Sequence, residues 1–411
     1  MRKIKDDSLN LKRCELKMIN NALKRGETSI FSPSCLDKFE LNIASYLHKN
    51  YSITLPNCTT AISLAIKLAN IPNIKYVIVP NLTHSSVVNA IISLKYKLVV
   101  CDFKPNTNEM DLNSLPKDMI AQCGAMVVCY LHGYPLNIEE IKDFCKRYSI
   151  TLIEDLAQGL GVKGNSTIAG ELSDYACCSY GECKTLRIGE GGTLACNENI
   201  VNEINTLRHV GEIYDTNKLS TVKNDISYLD FVKDGLNYTK WGFNFRVIPY
   251  TFAFANYRLT HLDKFLDVRQ KKLQMYCDCI SNDKLEFVGN LNGNVNRTAP
   301  ISAWLICDDS KYFEKLFKYL LSLKIPVGKF KYQVLTKVAS FREHIKNADS
   351  KMINSEYLQQ HSLFLPLYEN ISFKDIQYIC DKINNFEGKD VDFNMYKKLQ
   401  YFDGFFVKWL N

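Results

Sequence analysis

Short apolar runs and helical periodicities alternate along the first half of the chain. The runs 76–80 (YVIVP), 97–103 (KLVVCDF), 125–131 (AMVVCYL) and 151–155 (TLIED) are short, β-branched and bounded by polar or turn residues. That pattern predicts buried strands. Two further runs, 175–180 (YACCSY) and 192–196 (GTLAC), continue the series. Between them the spacing becomes helical. Over 137–149, Ile138, Ile141, Phe144, Cys145 and Tyr148 fall on one face, and Asn137 stands where an N-cap belongs. Such alternation predicts an α/β fold, a mainly parallel sheet between helices. Sheets of this kind bind ligands beyond the carboxyl ends of their strands, so candidate chemistry is sought there.

Residues 250–280 read as one long helix, from Phe252 through Leu259, Leu262, Phe265 and Leu273 to Tyr276. A mixed α/β stretch follows, and its turn segments VGNLNGN and LKIPVGK mark a smaller domain. The resulting division is a large domain over 12–265, a small one over 266–388, and a tail over 389–411. The tail is rich in aromatic residues (Tyr396, Tyr401, Phe402, Phe405, Phe406, Trp409) and is expected to pack on the body or on a partner chain.

Composition narrows the function classes. Of 411 residues, 46% are hydrophobic, enough for a large core, and the net charge of +7 is spread along the chain as a solvated surface would be. Fifteen cysteines are scattered without a C-x-x-C pair. Neither the adjacent Cys177 and Cys178 nor the Cys277 and Cys279 pair has zinc-site spacing, so free thiols in a reducing cytoplasm are expected. There is no H-E-x-x-H, Walker A or G-x-G-x-x-G segment, and no nucleic-acid motif. No apolar run approaches the roughly 18–20 residues of a membrane span, and the opening Met-Arg-Lys leads into no apolar signal-peptide core.

Five places carry candidate chemistry. Asp155 ends the strand TLIED, where a carboxylate is costly unless a positive group pairs with it. A protonated pyridine nitrogen would serve, although an Asp there can also cap the next turn. Gln158, three residues on, can reach the same ligand. Lys184 follows the strand YACCSY and precedes the turn Gly189-Glu190-Gly191-Gly192; a lysine so placed can form a Schiff base, although a lone lysine is more often a solvated side chain. Ser179 offers a hydroxyl for phosphate. Asn57-Cys58-Thr59-Thr60 opens a helical pattern, and a helix N-terminus suits a phosphate as readily as a plain cap. His84, just after the strand YVIVP, can stack on an aromatic ring or simply sit at the surface.

Taken in order, these features are much more specific than any one of them. Phosphate cradle, ring stacker, Asp-x-x-Gln, Ser, Lys and Gly-Glu-Gly-Gly together resemble the sugar aminotransferases of the DegT/DnrJ/EryC1/StrS family, which are fold type I enzymes of pyridoxal 5′-phosphate (PLP). The likeness runs over roughly 12–388, through LIEDLAQGLG, CCSYGECKTLRIGEGGTLA and GFNFRVIPY. It implies a seven-stranded, mainly parallel sheet in the large domain. It also implies roles. Lys184 would bind the cofactor covalently and move the proton of the reaction, and Asp155 would pair with the ring nitrogen. Gln158 would contact the 3-oxygen side of the ring, and His84 would stack on its face. Ser179 and the backbone near Thr59 and Thr60 would hold the phosphate. Asn244 would reach that phosphate from the neighbouring subunit of a homodimer. No metal is implied.

The implied reaction moves an amino group, with glutamate as donor, to a keto-sugar linked to a nucleotide. Two departures bear on the substrate. Glu182-Cys183 replaces the common Pro-Thr before the lysine, which resembles a branch that also includes cyclitol and aminohydroxybenzoate-type enzymes. KIPVGKFK places Phe330 near the point where the small domain often offers a His. Other readings are an aminotransferase of a cyclitol or other non-nucleotide ketone, a cysteine desulfurase using Cys183 or another thiol, and a non-catalytic regulator. A dehydratase branch of the family carries His where this chain has Lys184.

Overall fold

The computed structural model describes residues 11–30, 35–69, 76–211, 241–289, 295–330, 333–390, 399–402 and 406–409. At its centre lies a seven-stranded sheet of β1 (Tyr51–Leu55), β2 (Tyr76–Pro80), β3 (Lys97–Cys101), β4 (Cys123–Cys129), β5 (Thr151–Asp155), β6 (Tyr175–Ser179) and β7 (Gly192–Cys196), in the order β1-β7-β6-β5-β4-β2-β3. The block from β3 through β2, β4 and β5 to β6 is parallel. β7 runs antiparallel to both β6 and β1. The β6–β7 connection contains no helix, so the chain turns back beside β6 instead of crossing over. β1, with the sequence YSITL, lies just ahead of the stretch in which the apolar runs are clearest.

Strand alternation splits the core into two layers. Among the described residues the first three helices are α1 (Arg13–Lys24), α2 (Cys35–Tyr46) and α3 (Cys58–Leu68). Val77, Val79, Val127, Ile153, Cys177 and Leu194 face one side with Ala61, Ile62 and Ala65 of α3. Ile78, Val99, Met126, Leu152, Ala176 and Cys178 face the other with Phe39 and Ile43. Cys177 and Cys178, adjacent in sequence, therefore point to opposite faces. All fifteen cysteines are free thiols.

The expected helix over 137–149 is present as Ile138–Tyr148, with Ile138, Ile141 and Cys145 buried. Tyr148 is exposed rather than part of the buried stripe. Asn137 occupies the N-cap position, but its amide donates to Glu140 (3.1 Å) instead of accepting a backbone N–H. The single helix expected over 250–280 is two, Phe252–Thr260 and Leu262–Cys279. His261 separates them: its imidazole takes the Tyr257 carbonyl (2.8 Å), the acceptor that the His261 backbone N–H would use in a continuous helix.

The second of these helices joins two cores. Leu262 and Leu266 belong with the large sheet, whereas Leu273 and Tyr276 pack with Leu305, Phe313, Leu363 and Ile379. That second core lies against a three-stranded sheet of β8 (Glu286–Phe287), β9 (Ser302–Ile306) and β10 (Ser362–Pro366), in the order β10-β9-β8. The other side of this small sheet, with Trp304 and Phe364, packs against His132 of the large sheet's β4–β5 connection. In the tail, β11 (Leu399–Phe402) and β12 (Phe406–Trp409) pair as an antiparallel hairpin. Whether the tail's aromatic side chains pack on the body lies outside the described residues. Among those described, no helix is long and apolar enough to cross a membrane.

Candidate active site

Strand register assembles the site. Cys129 and Asp155 are cross-strand partners at the carboxyl ends of β4 and β5, and Asp155 pairs in turn with Cys177, midway along β6. Ser179 ends β6 opposite Gly192. Within TLIED, alternation sends Glu154 and Asp155 to opposite faces. Glu154 is fully buried and accepts from Tyr130 Oη (2.5 Å), Gly170 N–H (2.9 Å) and Ser173 N–H (3.2 Å). Burial pushes its carboxyl up, against the pull of these donors. Asp155 instead points toward the pocket above the strand ends.

That pocket has a volume of about 460 Å³ and brings together six of the expected site residues: Thr59, His84, Asp155, Gln158, Ser179 and Lys184. Asp155 is 7% exposed, and among the described residues no lysine or arginine pairs with it. Its Oδ1 accepts the Ala157 N–H (2.9 Å). Lys184 is half-buried and lines the same pocket, and its ammonium has no carboxylate partner among the described residues. Gln158 Oε1 accepts the His132 N–H (2.7 Å), which leaves the Nε2 amide hydrogens to donate into the pocket.

The N-terminus of α3 forms one end. Asn57 caps it, its Oδ1 accepting both the N–H (2.9 Å) and the hydroxyl (3.0 Å) of Thr60. Thr60 is thereby committed to the cap and does not line the pocket. The N–H groups of Cys58 and Thr59 have no protein acceptor among the described residues and are the donors that remain for an anion. Gly192 lets this end close up: a Cβ there would lie 2.5 Å from Asn57 C and 2.8 Å from Cys58 N. Gly192→Ala is therefore expected to cost about 1–3 kcal/mol of stability, read as a lower urea midpoint, and to weaken anion binding by displacing α3. Gly189, at φ +104°, takes the backbone conformation that the turn after Lys184 requires.

His84 lines the pocket as the N-cap of the helix Ser85–Ile92. Its Nδ1 accepts the Ser86 N–H (3.1 Å), which fixes the ring's orientation. Asn244 is exposed, bridged to His209 on the strand-like segment after the sheet, and contributes nothing to the pocket of its own chain. Burial, reinforced by the charges of Arg208 and Arg246, pushes the neighbouring His209 down to about 4 from the usual 6.5. The folded chain holds it neutral while the unfolded chain takes up a proton, so its contribution to stability is full above pH 6.5 and is lost as the pH falls toward 4. His132 is shifted in the same direction, by burial and by the charge of Lys184. Denaturation midpoints are expected to fall across that acid window, and to fall less in His209→Gln.

Three pocket features escaped the sequence reading. Cys58 and Cys129 both reach Asp155. His132, with its Nδ1 2.6 Å from Ser302 Oγ and its ring stacked 3.7 Å from that of Phe364, ties the three-stranded sheet to the Gln158 loop. Of these, only Cys129 had a usable signal, as the end of a predicted parallel strand. Phe330 sits behind His132 in the same aromatic group and does not line the pocket.

Residues 10–384 match the DegT/DnrJ/EryC1/StrS aminotransferase family. The chain belongs to that family. Among curated relatives, GDP-perosamine synthase of Vibrio cholerae is 21% identical over 90% of this chain and 96% of its own length. The UDP-4-amino-4,6-dideoxy-N-acetyl-beta-L-altrosamine transaminase of Campylobacter jejuni (serotype O:2) is 22% identical over 91% and 95%. Among solved structures, an aminotransferase from Psychrobacter cryohalolentis superimposes with TM-score 0.80 at 15% identity, covering 93% of this chain and 98% of that one. An E. coli GDP-4-keto-6-deoxy-D-mannose-3-dehydratase with bound hydrated PLP gives TM-score 0.79 at 19% identity, over 93% and 100%. The fold is that of the PLP aminotransferases, and the chain is a PLP-dependent transaminase.

The pocket fits this cofactor. An anion cradle at the α3 N-terminus suits the phosphate; among the described residues a buried carboxylate without a cation suits a protonated ring nitrogen, and a lysine without a carboxylate partner suits the aldehyde carbon.

Proposed function

We propose that this transaminase moves an amino group from glutamate to a keto-sugar linked to a nucleotide. The presence of Lys184 and Asp155 in one pocket carries the mechanistic half of this reading. The substrate half is supported by relatives named for GDP- and UDP-linked amino sugars.

When bound, the cofactor supplies an electron sink that carries the amino group between donor and acceptor. The chain's own residues do the rest. Lys184 anchors the cofactor and moves a proton on its Nζ. Asp155 holds the proton at the ring nitrogen. Gln158 donates through Nε2 toward the 3-oxygen side, its orientation set by His132. Thr59, Ser179 and the Cys58 and Thr59 N–H groups bind the phosphate, and His84 covers the ring face. Thr60 acts through the cap it makes with Asn57. Asn244 completes the phosphate site from a second copy of the chain, so the protein works as a homodimer. Exposed Trp241, Phe243 and Ile248 around Asn244 support such a contact. Fifteen free thiols support a cytoplasmic setting. The large domain spans 12–265 and the small domain 266–388.

Incubation with glutamate and a nucleotide-linked keto-sugar should yield 2-oxoglutarate and the amino sugar in equal amounts. Turnover only with a cyclitol or another free ketone would refute the substrate class, and loss of a sugar hydroxyl without amine formation would make the protein a dehydratase.

A further inference from the structure

Asp155 is a carboxylate sunk at the end of a buried strand, and a charge so placed must be held by donors. One is the Ala157 N–H, on Oδ1. The others are thiols. Cys58 Sγ lies 3.4 Å from Oδ1, and Cys129 Sγ lies 3.7 Å from Oδ2. They arrive from different elements, Cys58 from the first turn of α3 and Cys129 from the end of β4, in register with Asp155. Each has one further contact. Cys58 shares its proton with the Cys177 carbonyl (3.4 Å), and Cys129 lies 3.2 Å from Thr83 Oγ1. Burial, reinforced by the charge of Asp155, pushes both thiols far above their usual range, so each carries a proton to donate.

We propose that Cys58 and Cys129 are positioning residues: one thiol on each oxygen of Asp155 holds the carboxylate aimed into the pocket, and thereby keeps the proton on the cofactor's ring nitrogen. This rests on the role assigned to Asp155 above. Thiols suit the task because S–H is a weak donor on an apolar atom. They keep water from the pocket floor and order the carboxylate, yet leave most of its charge for the ring nitrogen.

The test uses holoenzyme carrying an isotope-labelled ring nitrogen. In the wild type the nuclear resonance should report a protonated nitrogen. In Cys58→Ala/Cys129→Ala it should move toward the unprotonated range, with kcat down about tenfold or more and KM changed less than about threefold, as expected when donors to a charged group are lost. Cys58→Ser/Cys129→Ser keeps both donors, now stronger ones, so its resonance should lie nearer the wild-type position than that of the alanine pair. An unmoved resonance in the alanine pair, or a serine pair as impaired as the alanine pair, would overturn the proposal. If the alanine pair does not fold, the S–H stretching bands of the wild-type apoprotein decide. They should lie where hydrogen-bonded thiols absorb and shift in Asp155→Asn; unshifted bands contradict the clamp. Failure of the wild type to load cofactor on Lys184 would instead remove the reading of the site, and the infrared comparison would still settle the clamp.

Discussion

Lys184→Ala is expected to abolish transamination, lowering kcat by at least about 10⁴-fold. General acid–base catalysis alone is worth on the order of 10²–10⁴, and this side chain also anchors the cofactor. Its ammonium lines the pocket without a carboxylate partner among the described residues, so removing it breaks no ion pair and should leave the fold intact. The variant should unfold at the same denaturant concentration as the wild type while losing the absorbance of lysine-bound cofactor. Residual turnover near the wild-type level would mean that another amine does the chemistry. Arg187, three residues on, is buried and faces Glu369 at 4.0 Å, so its substitution should disturb stability instead.

Asp155→Ala should cost roughly 10²–10⁴-fold in kcat. Removing one partner of a buried charge pair is worth about 3–5 kcal/mol, and each 1.36 kcal/mol is tenfold in rate. The loss comes from chemistry as well as from binding, because an unprotonated ring draws electrons less strongly. Apoprotein stability should move the other way: the carboxylate is 7% exposed and has no cation in the described residues, so deleting it relieves a desolvated charge. Raised apoprotein stability with crippled turnover would identify Asp155 as a residue kept for function. A variant that loses stability and activity together would indicate a structural role.

Much of this was legible in the chain. TLIED and GTLAC predicted strands at the observed boundaries because both are short, apolar and sharply bounded. The carboxyl-end rule then led to Asp155 and, at the end of the next strand, to Ser179. What periodicity cannot express is competition from side chains. His261 divides an otherwise continuous helical pattern by taking a carbonyl. Asn137 and Thr60 both had the right residue type for their expected roles, and each was diverted by a nearer partner, Glu140 and Asn57 respectively. The thiol contacts to Asp155 depend on bringing positions 58, 129 and 155 together, which the β4–β5 register does for 129 and 155 and the packing of α3 against the sheet does for 58. The position of Phe330 behind His132 likewise depends on how the small sheet meets the large one.

Covalent attachment of the cofactor to Lys184 can be trapped chemically. Holoenzyme reduced with borohydride should fix the cofactor to the protein, and peptide mapping by mass spectrometry should find the added mass on the peptide containing Lys184 alone. Added mass on any other lysine, or none on a cofactor-saturated sample, would contradict the account.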